Sequence, residues 1–349
     1  MRTIGYAAYS SEAKMMPYHF ERRALRDNDV AIEILYSGVC HSDLHTVNGD
    51  WGSQPYPLVP GHEIVGRVIE VGALVKKYKV GDNVAVGCMV DSCQDCDQCH
   101  DHEEQFCRHG MTATYGAPDR ITDEITQGGY SKHIIVREEF VLNMPVDLDL
   151  SKSAPILCAG ITTYSPLKHW GVTKGSRVAV IGLGGLGHMG VKLALALGAK
   201  VTVISRSDSK KEVVDALGAK GILVSKDSEA MRKATASFDF ILDTIPTKHN
   251  VDIYTPLLDV NGALVLVGQV GPIDEVNVGT LIMGRRQIAG SLIGGIKETQ
   301  EVLDFCAKHQ IYPECKMIQP SEINEAFAHL AEGDVAYRFV MDMSALDNA

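Results

Sequence analysis

Four cysteines lie close together in the chain with short spacers. They are Cys93, Cys96, Cys99 and Cys107, separated by two, two and seven residues. Four thiolates on one short segment can wrap a single ion, and a tetrahedral set of this kind is typical of structural zinc sites. A surface cluster of thiols without a metal ion would be prone to oxidation and would not contribute to core packing. The spacing therefore predicts a structural zinc site.

Zinc ribbons that bind nucleic acid use similar cysteine pairs but surround them with basic residues. The segment here is acidic, and its carboxylates are Asp91, Asp95, Asp97, Asp101, Glu103 and Glu104. The whole chain also carries a formal net charge of −11, which repels phosphate backbones. We therefore expect no nucleic-acid partner.

Three further potential metal ligands are far apart in the sequence: Cys40 in GVCHSDLH, His62 in VPGHE and Cys158 in LCAG. Considered singly, Cys158 is explained as a small buried hydrophobe and His62 as a structural histidine. Two cysteines and one histidine are nevertheless a ligand set of catalytic zinc, which leaves a fourth position open. Together with the four-cysteine cluster and a glycine-rich motif, they predict a second, catalytic zinc site.

That glycine-rich motif follows the apolar run Arg177–Ile181. Its residues are Gly182, Leu183, Gly184, Gly185, Leu186 and Gly187, which contain G-x-G-x-x-G. A flexible glycine-rich turn is the simpler explanation for such a motif on its own. Between a predicted strand and a predicted helix, it lets the backbone approach a pyrophosphate whose charge lies at the helix N-terminus. We expect a dinucleotide here.

The end of the next strand, Val201–Ile204, distinguishes NAD from NADP. NAD sites place an Asp or Glu there to bond the ribose 2′-hydroxyl. The residues here are Ser205, Arg206, Ser207 and Lys210. Hydroxyl and cationic groups would hold a 2′-phosphate, which a carboxylate would repel. Alternatively, Arg206 and Lys210 are only solvent-exposed charges at the start of a helix. We assign Asp208 as a helix N-cap, so the segment favours NADP.

Two kinds of element must position these residues. Up to about residue 150, β-branched runs broken by Gly, Pro and Asp predict a β-rich, barrel-like region; they are Val30–Leu35, Ile64–Val71, Asn83–Val86 and Ser131–Val136. Beyond it, alternating strands and helices predict a doubly wound parallel sheet. Its strands are Arg177–Ile181, Val201–Ile204, Gly221–Val224, Phe238–Leu242, Ala263–Val267 and Gln287–Leu292, with helices Leu186–Leu197 and Ser209–Leu217. A helix over Glu298–Lys308 and a strand near Tyr337–Met341 follow.

The composition is that of an ordinary globular protein. The chain has 349 residues, 45% hydrophobic and 22% charged, which is enough for two domains. The start has no apolar signal-peptide core, and no run approaches the roughly 18 apolar residues of a membrane span. We therefore expect a cytoplasmic protein without membrane partners. Thiols stay reduced there, so the nine cysteines favour metal binding over disulfides.

The chain resembles the zinc-dependent medium-chain dehydrogenases, in particular their cinnamyl alcohol dehydrogenase branch and its bacterial aldehyde reductases. The resemblance covers essentially the whole chain, including YPLVPGHEIVGRV, TQGGYS, ILCAGITTYSPLKHWG and GSLIGGIKETQE. It implies an α/β protein with a discontinuous GroES-like β-rich catalytic domain, residues 1–150 and 297–349, carrying two zinc sites. Residues 151–296 would form a Rossmann NADP-binding domain with a doubly wound parallel sheet. Two zinc ions per subunit, NADPH and a homodimer are also implied.

The same resemblance implies the roles of residues near the catalytic zinc. Cys40, His62 and Cys158 match its ligands. Glu63 matches a glutamate that can enter the zinc shell when substrate is absent. Asp43 matches a carboxylate that orients His62.

Other roles concern the proton and the cofactor. Ser42 matches the hydroxyl that bonds the substrate oxygen, and His45, with Asp50 behind it, matches the histidine that ends a proton relay. His41 is expected near the cofactor pyrophosphate or, alternatively, as a surface histidine.

The implied reaction is hydride transfer from NADPH to an aldehyde bound at the catalytic zinc. The resemblance departs from the plant cinnamyl enzymes at two places: Met111–Ala113 replaces a stretch that usually carries Trp, and Leu292 stands where Phe is common. With Trp51 as an apolar wall, we expect broad specificity for aromatic or medium-chain aliphatic aldehydes.

Two alternative functions are an enzyme of the same kind and a protein of a different class. An NAD-linked alcohol or polyol dehydrogenase is disfavoured because Ser205–Arg206–Ser207 argues against NAD and the apolar region of Trp51 and Leu292 argues against polyols. A catalytically silent zinc-binding scaffold is disfavoured by the complete set of catalytic residues.

Overall fold

The computed structural model describes residues 1–268, 271–273, 275–333 and 338–348. The chain forms two compact units, one made of Met1–Cys158 with Gly294–Ala349 and the other of Ala159–Ile293. The first unit extends beyond residue 150 because the 3-10 helix Ala154–Leu157 contacts the strands of that unit.

The segment Met1–Cys158 is built mainly from antiparallel strands. Its strands are β1 (Arg2–Ala7), β2 (Met16–Glu21), β3 (Asp29–Val39), β4 (Ile64–Val71), β5 (Asn83–Val86), β6 (Met89–Asp91), β7 (Thr112–Ala113), β8 (His133–Arg137) and β9 (Leu142–Asn143). Its helices are α1 (His41–Asn48), α2 (Asp97–His100) and α3 (Leu150–Ser153). Strand β3 is central and pairs with β4 and β8, so its apolar residues Val30, Ala31 and Ile32 are fully buried. The hairpin β1–β2 and the pair β6–β7 form separate small sheets.

The unit Ala159–Ile293 alternates helices and strands. Its helices are α4 (Ala159–His169), α5 (Gly185–Ala196), α6 (Lys211–Ala216), α7 (Ser228–Lys233) and α8 (Val278–Gly284). Its strands are β10 (Arg177–Ile181), β11 (Lys200–Ser205), β12 (Ile222–Val224), β13 (Phe238–Asp243), β14 (Leu258–Leu266) and β15 (Gln287–Gly290). The strands form one sheet in the order β12-β11-β10-β13-β14-β15, and every neighbouring pair is parallel. The predicted parallel sheet is confirmed.

Helices cover both faces of this parallel sheet. Ile241 of β13 belongs to a buried cluster against which Ala230 and Met231 of α7 pack. Leu242, the next residue, lies against Gly190 of α5. Successive strand residues point to opposite faces, so α7 and α5 lie on opposite sides, as in a doubly wound fold.

The remaining segment returns to the first unit. It contains α9 (Ile296–His309), β16 (Cys315–Ile318), α10 (Ile323–Glu332) and β17 (Arg338–Asp342). Strand β17 pairs antiparallel with β3 and extends its sheet into the order β16-β17-β3-β4-β5-β9. Of the strand predicted near Tyr337–Met341, Tyr337 lies outside the described residues. Among the helices that the structure describes, none is long and apolar enough to cross a bilayer.

One local prediction was wrong. Helix α6 begins at Lys211 with Lys210 as its N-cap, and no side chain caps it. Asp208 is therefore not the cap; its backbone carbonyl accepts the Lys211 N–H at 2.8 Å. The segment after β11 makes a turn before the helix starts, which removes the Asp208 carboxylate from the capping position.

Candidate active site

Cys40 lies where strand β3 ends and helix α1 begins. Its backbone is extended, and its sulfur accepts the Ser42 N–H at 3.4 Å, so that Cys40 is the helix N-cap. The partial positive charge of a helix N-terminus favours a thiolate. Hydrogen bonding with Cys158 also lowers the pKa of Cys40 well below its usual range. Cys40 is thus prepared to act as a thiolate ligand.

Asp43 is a fully buried carboxylate on the first turn of α1. It accepts hydrogen bonds from the Cys40 N–H (3.0 Å), the Gly61 N–H (3.1 Å), His62 Nδ1 (2.9 Å) and the Tyr130 hydroxyl (2.9 Å). Because Nδ1 of His62 donates to Asp43, the lone pair of Nε2 is left for a metal ion. Burial is the largest single effect and lowers the pKa of His62, but the negative charges of Asp43 and Cys88 and the hydrogen bonds with Asp43 and Cys40 together raise the pKa well above its ordinary value.

Glu63 is also fully buried, and its two oxygens have different surroundings. Oε1 forms an ion pair with Arg338 of β17, whereas Oε2 has no hydrogen-bond partner within the described part of the chain. A Cβ atom at position 38 would overlap Oε2, so Gly38 makes room for the carboxylate. Burial raises the pKa of Glu63 to about 7, against the opposing effect of Arg338. A buried carboxylate oxygen without a hydrogen-bond partner destabilises the folded protein, so Oε2 needs a partner such as a cation.

Cys158 completes a buried cluster with these residues. Its sulfur lies 4.0 Å from the sulfur of Cys40, and the ligand atoms of Cys40, His62, Glu63 and Cys158 all lie within 4.8 Å of one another. Ligands about 2.3 Å from a tetrahedral zinc ion stand about 3.8 Å apart. The donor set and its spacing therefore fit zinc, with Cys40, His62 and Cys158 as the ligands and Glu63 available as a fourth.

The four-cysteine segment forms a second cluster of the same size. The sulfur atoms of Cys93, Cys96, Cys99 and Cys107 lie within 4.8 Å of one another, and Cys96 and Cys99 are 3.6 Å apart. Backbone N–H groups point at the sulfurs, for example that of Arg108 at Cys96, which lowers the pKa of Cys96 to about 6. The thiols are free rather than paired. Four sulfurs in this arrangement can hold one zinc ion with no open position.

The residues expected to handle the proton lie along α1. The Ser42 hydroxyl lies 3.5 Å from the Cys40 sulfur, and His45 Nδ1 lies 2.7 Å from Asp50 Oδ2. The ring of Trp51 is 5.4 Å from that of His45. Within the described residues no hydrogen bond joins Ser42 directly to His45, so a proton passing between them needs an intervening hydroxyl or water. His41 Nε2 is 3.0 Å from the Leu330 carbonyl oxygen of α10.

The glycine-rich motif forms the turn between β10 and α5. Gly182 has φ +86°, and Gly184 is the helix N-cap with no side-chain hydrogen bond to the first turn. A Cβ atom at Gly187 would overlap the Gly182 carbonyl oxygen, which explains why a glycine stands at the third position. Because Gly184 has no side chain to cap the helix, the first N–H groups of α5 are not bonded by the N-cap and suit a pyrophosphate.

The end of β11 carries hydroxyl and cationic side chains. Ser205 is the last residue of the strand, Arg206 is exposed, and the hydroxyls of Ser207 and Ser209 lie 2.8 Å apart. The Lys210 ammonium donates to the Leu183 carbonyl at 3.2 Å, which brings it to the glycine-rich turn. Lys210 is thus placed at the glycine-rich turn, and Ser205, Arg206 and Ser207 lie at and just beyond the end of the strand next to β10.

Sequence reasoning missed three residues at the first cluster: Gly38, Tyr130 and Arg338. A lone arginine in the apolar strand RFVMD was a usable signal, because a buried cation requires a partner. Tyr130 and Gly38 gave no local signal, because their contacts come from segments distant in sequence.

Comparisons with known proteins agree with this geometry. Residues 26–146 match the family model described as alcohol dehydrogenase GroES-like domain, and residues 185–308 match the one described as zinc-binding dehydrogenase. The chain is 50% identical over 348 residues to the aldehyde reductase YahK of Escherichia coli K12, covering 99% of both chains.

Solved structures show the same architecture. A cinnamyl alcohol dehydrogenase from Sorghum bicolor superposes with a TM-score of 0.95 at 39% identity, covering 99% of this chain and 98% of that one. The CAD of Helicobacter pylori, solved with NADP(H), gives a TM-score of 0.91 at 44% identity and 99% coverage of both chains. These matches confirm the predicted combination of a GroES-like and a Rossmann-type fold. The chain belongs to the zinc-dependent medium-chain alcohol dehydrogenase family.

Proposed function

We propose that this protein is an NADP-linked alcohol dehydrogenase that works as an aldehyde reductase. The unit formed by residues 1–158 and 294–349 would carry the chemistry, and residues 159–293 would hold the cofactor. The observation that carries the proposal is the buried cluster of Cys40, His62 and Cys158 with Glu63 beside it. Purified protein with NADPH and benzaldehyde should consume NADPH. No consumption by the zinc-loaded protein would support a silent scaffold instead.

The residues of the cluster would hold the catalytic metal. Zinc bound by Cys40, His62 and Cys158 supplies a Lewis acid that polarises a carbonyl, and NADPH supplies the hydride. Asp43 keeps the His62 ring in the tautomer whose Nε2 faces the metal position. Glu63 would offer a fourth ligand when no substrate is present, and its ion pair with Arg338 keeps the carboxylate beside the cluster.

Ser42 and His45 would deliver the proton. The Ser42 hydroxyl, next to Cys40, donates to the substrate oxygen, and His45 restores the proton through an intervening hydroxyl or water. The hydrogen bond to Asp50 fixes the His45 ring. Trp51 beside His45 presents an apolar surface, which suits aromatic or medium-chain aliphatic aldehydes better than polyols.

Replacing His45 by alanine is expected to slow turnover mainly at neutral and acidic pH. General acid–base groups contribute about 10²- to 10⁴-fold, and we expect the lower end because the His45 side chain is 33% exposed and water can partly replace it. The measurement is kcat against pH, with His19→Ala on exposed β2 as the control. A change of less than about twofold across the neutral range would remove His45 from the relay.

The preference for NADPH over NADH should depend on the side chains at the end of β11 and just after it. Ser205→Asp removes a donor and adds a charge that repels the 2′-phosphate, while a carboxylate can accept from the free 2′-hydroxyl of NADH. We expect NADPH use to fall by about 10- to 100-fold, because charge-assisted bonds contribute about 1.5–3 kcal/mol each. Arg206→Ala should weaken NADPH without helping NADH.

The readout is kcat/KM for both cofactors with one aldehyde. An unmutated enzyme that prefers NADH, or a ratio unchanged by Ser205→Asp, would overturn the NADP assignment. It would favour an NAD-linked alcohol or polyol dehydrogenase and leave the zinc chemistry untouched.

The protein would act as a homodimer in the cytoplasm. Strand β15 lies at the edge of the parallel sheet, and Val278, Ile282 and Met283 of the nearby α8 are 59%, 72% and 87% exposed. An open strand edge beside exposed apolar side chains favours pairing with a second copy. The cysteines are free thiols suited to metal binding, and thiols stay reduced in the cytoplasm, so they favour that compartment. Sedimentation at the mass of one chain would contradict the dimer, and export from the cell would contradict the compartment.

A further inference from the structure

The turn Gln127–Ser131 is joined to the loop that precedes His62. The N–H groups of Gly128, Gly129 and Tyr130 donate to the carbonyls of Val59 (2.7 Å), Gly61 (2.8 Å) and Pro60 (2.9 Å). In return, the Val59 N–H donates to the side-chain oxygen of Gln127 at 2.6 Å. Four hydrogen bonds over so few residues fix the position of the His62 loop against this turn.

The two segments also pack so closely that their contact glycines have no room for a Cβ atom. A Cβ atom at Gly128 would overlap the Pro60 and Gly61 carbonyls, and one at Gly61 would lie 2.5 Å from the Tyr130 ring. Gly61 also has φ +104°, which side chains rarely adopt. The turn can therefore reach the His62 loop only because both carry glycine at the contact.

Tyr130 extends this contact to Asp43. Its side chain is fully buried, and its hydroxyl donates to Asp43 Oδ2 at 2.9 Å. The other oxygen of Asp43 accepts from His62 Nδ1. The carboxylate, which also accepts the Cys40 and Gly61 N–H groups, thus links the tyrosine to the histidine, and its orientation sets that of the imidazole.

Arg22 also bonds to the turn. Its guanidinium donates to the carbonyls of Gln127 and Gly128, to the Ser131 hydroxyl at 2.7 Å and to the His133 carbonyl at 2.8 Å. A single rigid cation bonded to four acceptors holds the turn in one conformation.

We propose that Tyr130 is a positioning residue that fixes His62 through Asp43, and that the turn Gln127–Ser131 thereby determines how tightly the catalytic-site metal is retained. The inference rests on the proposed ligation of zinc by His62. Groups that bond a metal ligand directly, as Asp43 bonds His62, typically change metal affinity by about 10- to 100-fold when mutated, and Tyr130 acts one hydrogen bond further from the metal. Tyr130→Phe removes only the hydroxyl, so its effect isolates the bond to Asp43.

The test is the rate at which zinc passes from the folded protein to a chromogenic chelator. One of the two zinc ions per chain should leave up to about tenfold faster from Tyr130→Phe than from the unmutated protein, the lower end of the range for direct partners of a metal ligand. Tyr78→Phe is the matched control, because the Tyr78 hydroxyl is equally part of a buried hydrogen bond, to the Val141 carbonyl, in the same unit. The control should release zinc at the unmutated rate.

Arg22→Gln provides a second variant that leaves Tyr130 in place. It loosens the turn and should also accelerate release of the same zinc ion. Equal release from Tyr130→Phe and Tyr78→Phe, with two zinc ions bound initially, would overturn this inference alone. A protein that binds no zinc at the Cys40–His62–Cys158 cluster would overturn the proposed function as well, and it would be recognised from metal content before any variant is compared.

Discussion

Cys40→Ala is expected to abolish aldehyde reduction and to lower zinc content from two ions to one per chain, while the protein stays folded. The cluster of Cys40, His62 and Cys158 would lose one of its two thiolates. A catalytic metal contributes several kcal/mol to a reaction of this kind, and about 1.4 kcal/mol corresponds to tenfold in rate. The loss should therefore be at least about a thousandfold. The measurements are kcat/KM, metal content and the circular dichroism spectrum.

Cys306→Ala is the control for this variant. Cys306 is a fully buried thiol on α9 in the same unit, and burial raises its pKa to about 12, so it stays protonated. Its replacement removes the same atoms from a packed site without touching either cluster. It should keep both zinc ions and the unmutated rate. An active Cys40→Ala variant, or an unmutated enzyme fully active with one zinc ion, would contradict the two-site assignment.

The sequence allowed the parallel sheet to be predicted because each strand is short, apolar and followed by a helix or a turn. β10 was predicted with the bounds that the structure has, and α5 to within one residue. Helices α1 and α4 were not predicted. The sequence of α1, HSDLHTVN, has little apolar periodicity, and the helix depends on the cap at Cys40 and on Gly49 with φ +77°. α4 contains Pro166, which normally argues against a helix.

The same contrast holds for the candidate site. The four-cysteine cluster comes from one segment, so spacing alone was sufficient to find it. The dispersed cluster required residues from three places, and its support is more distant still. Arg338 is 275 positions from Glu63, and Tyr130 is 87 positions from Asp43. Pairings of this kind are set by strand order, since β17 reaches β3 only in the folded chain, and no local pattern predicts them.

The four-cysteine cluster should contribute to stability rather than to chemistry. The segment between Cys93 and Cys107 has only α2 and one 3-10 turn, and Cys99 and Cys107 are its buried sulfurs. With so little apolar packing of its own, the segment needs an ion to hold it. Structural zinc binds small peptides with about 10–16 kcal/mol, part of which supports folding.

Cys96→Ala is therefore expected to lower the thermal unfolding midpoint strongly and to remove the other zinc ion, while the enzyme stays active at low temperature. The effect should reach α9, because the Glu104 carboxylate accepts the Ile296 N–H at 3.0 Å at the start of that helix. Hydrogen exchange should then rise in residues 93–107 and in the first turn of α9, and little elsewhere.

Arg108→Ala is the control, next to the same segment. It breaks an exposed ion pair with Asp97, and such pairs contribute only about 0–1 kcal/mol. If Cys96→Ala unfolds no earlier than Arg108→Ala, the cluster does not stabilise the fold. If it retains its stability and loses activity at all temperatures, the cluster belongs to the chemistry instead.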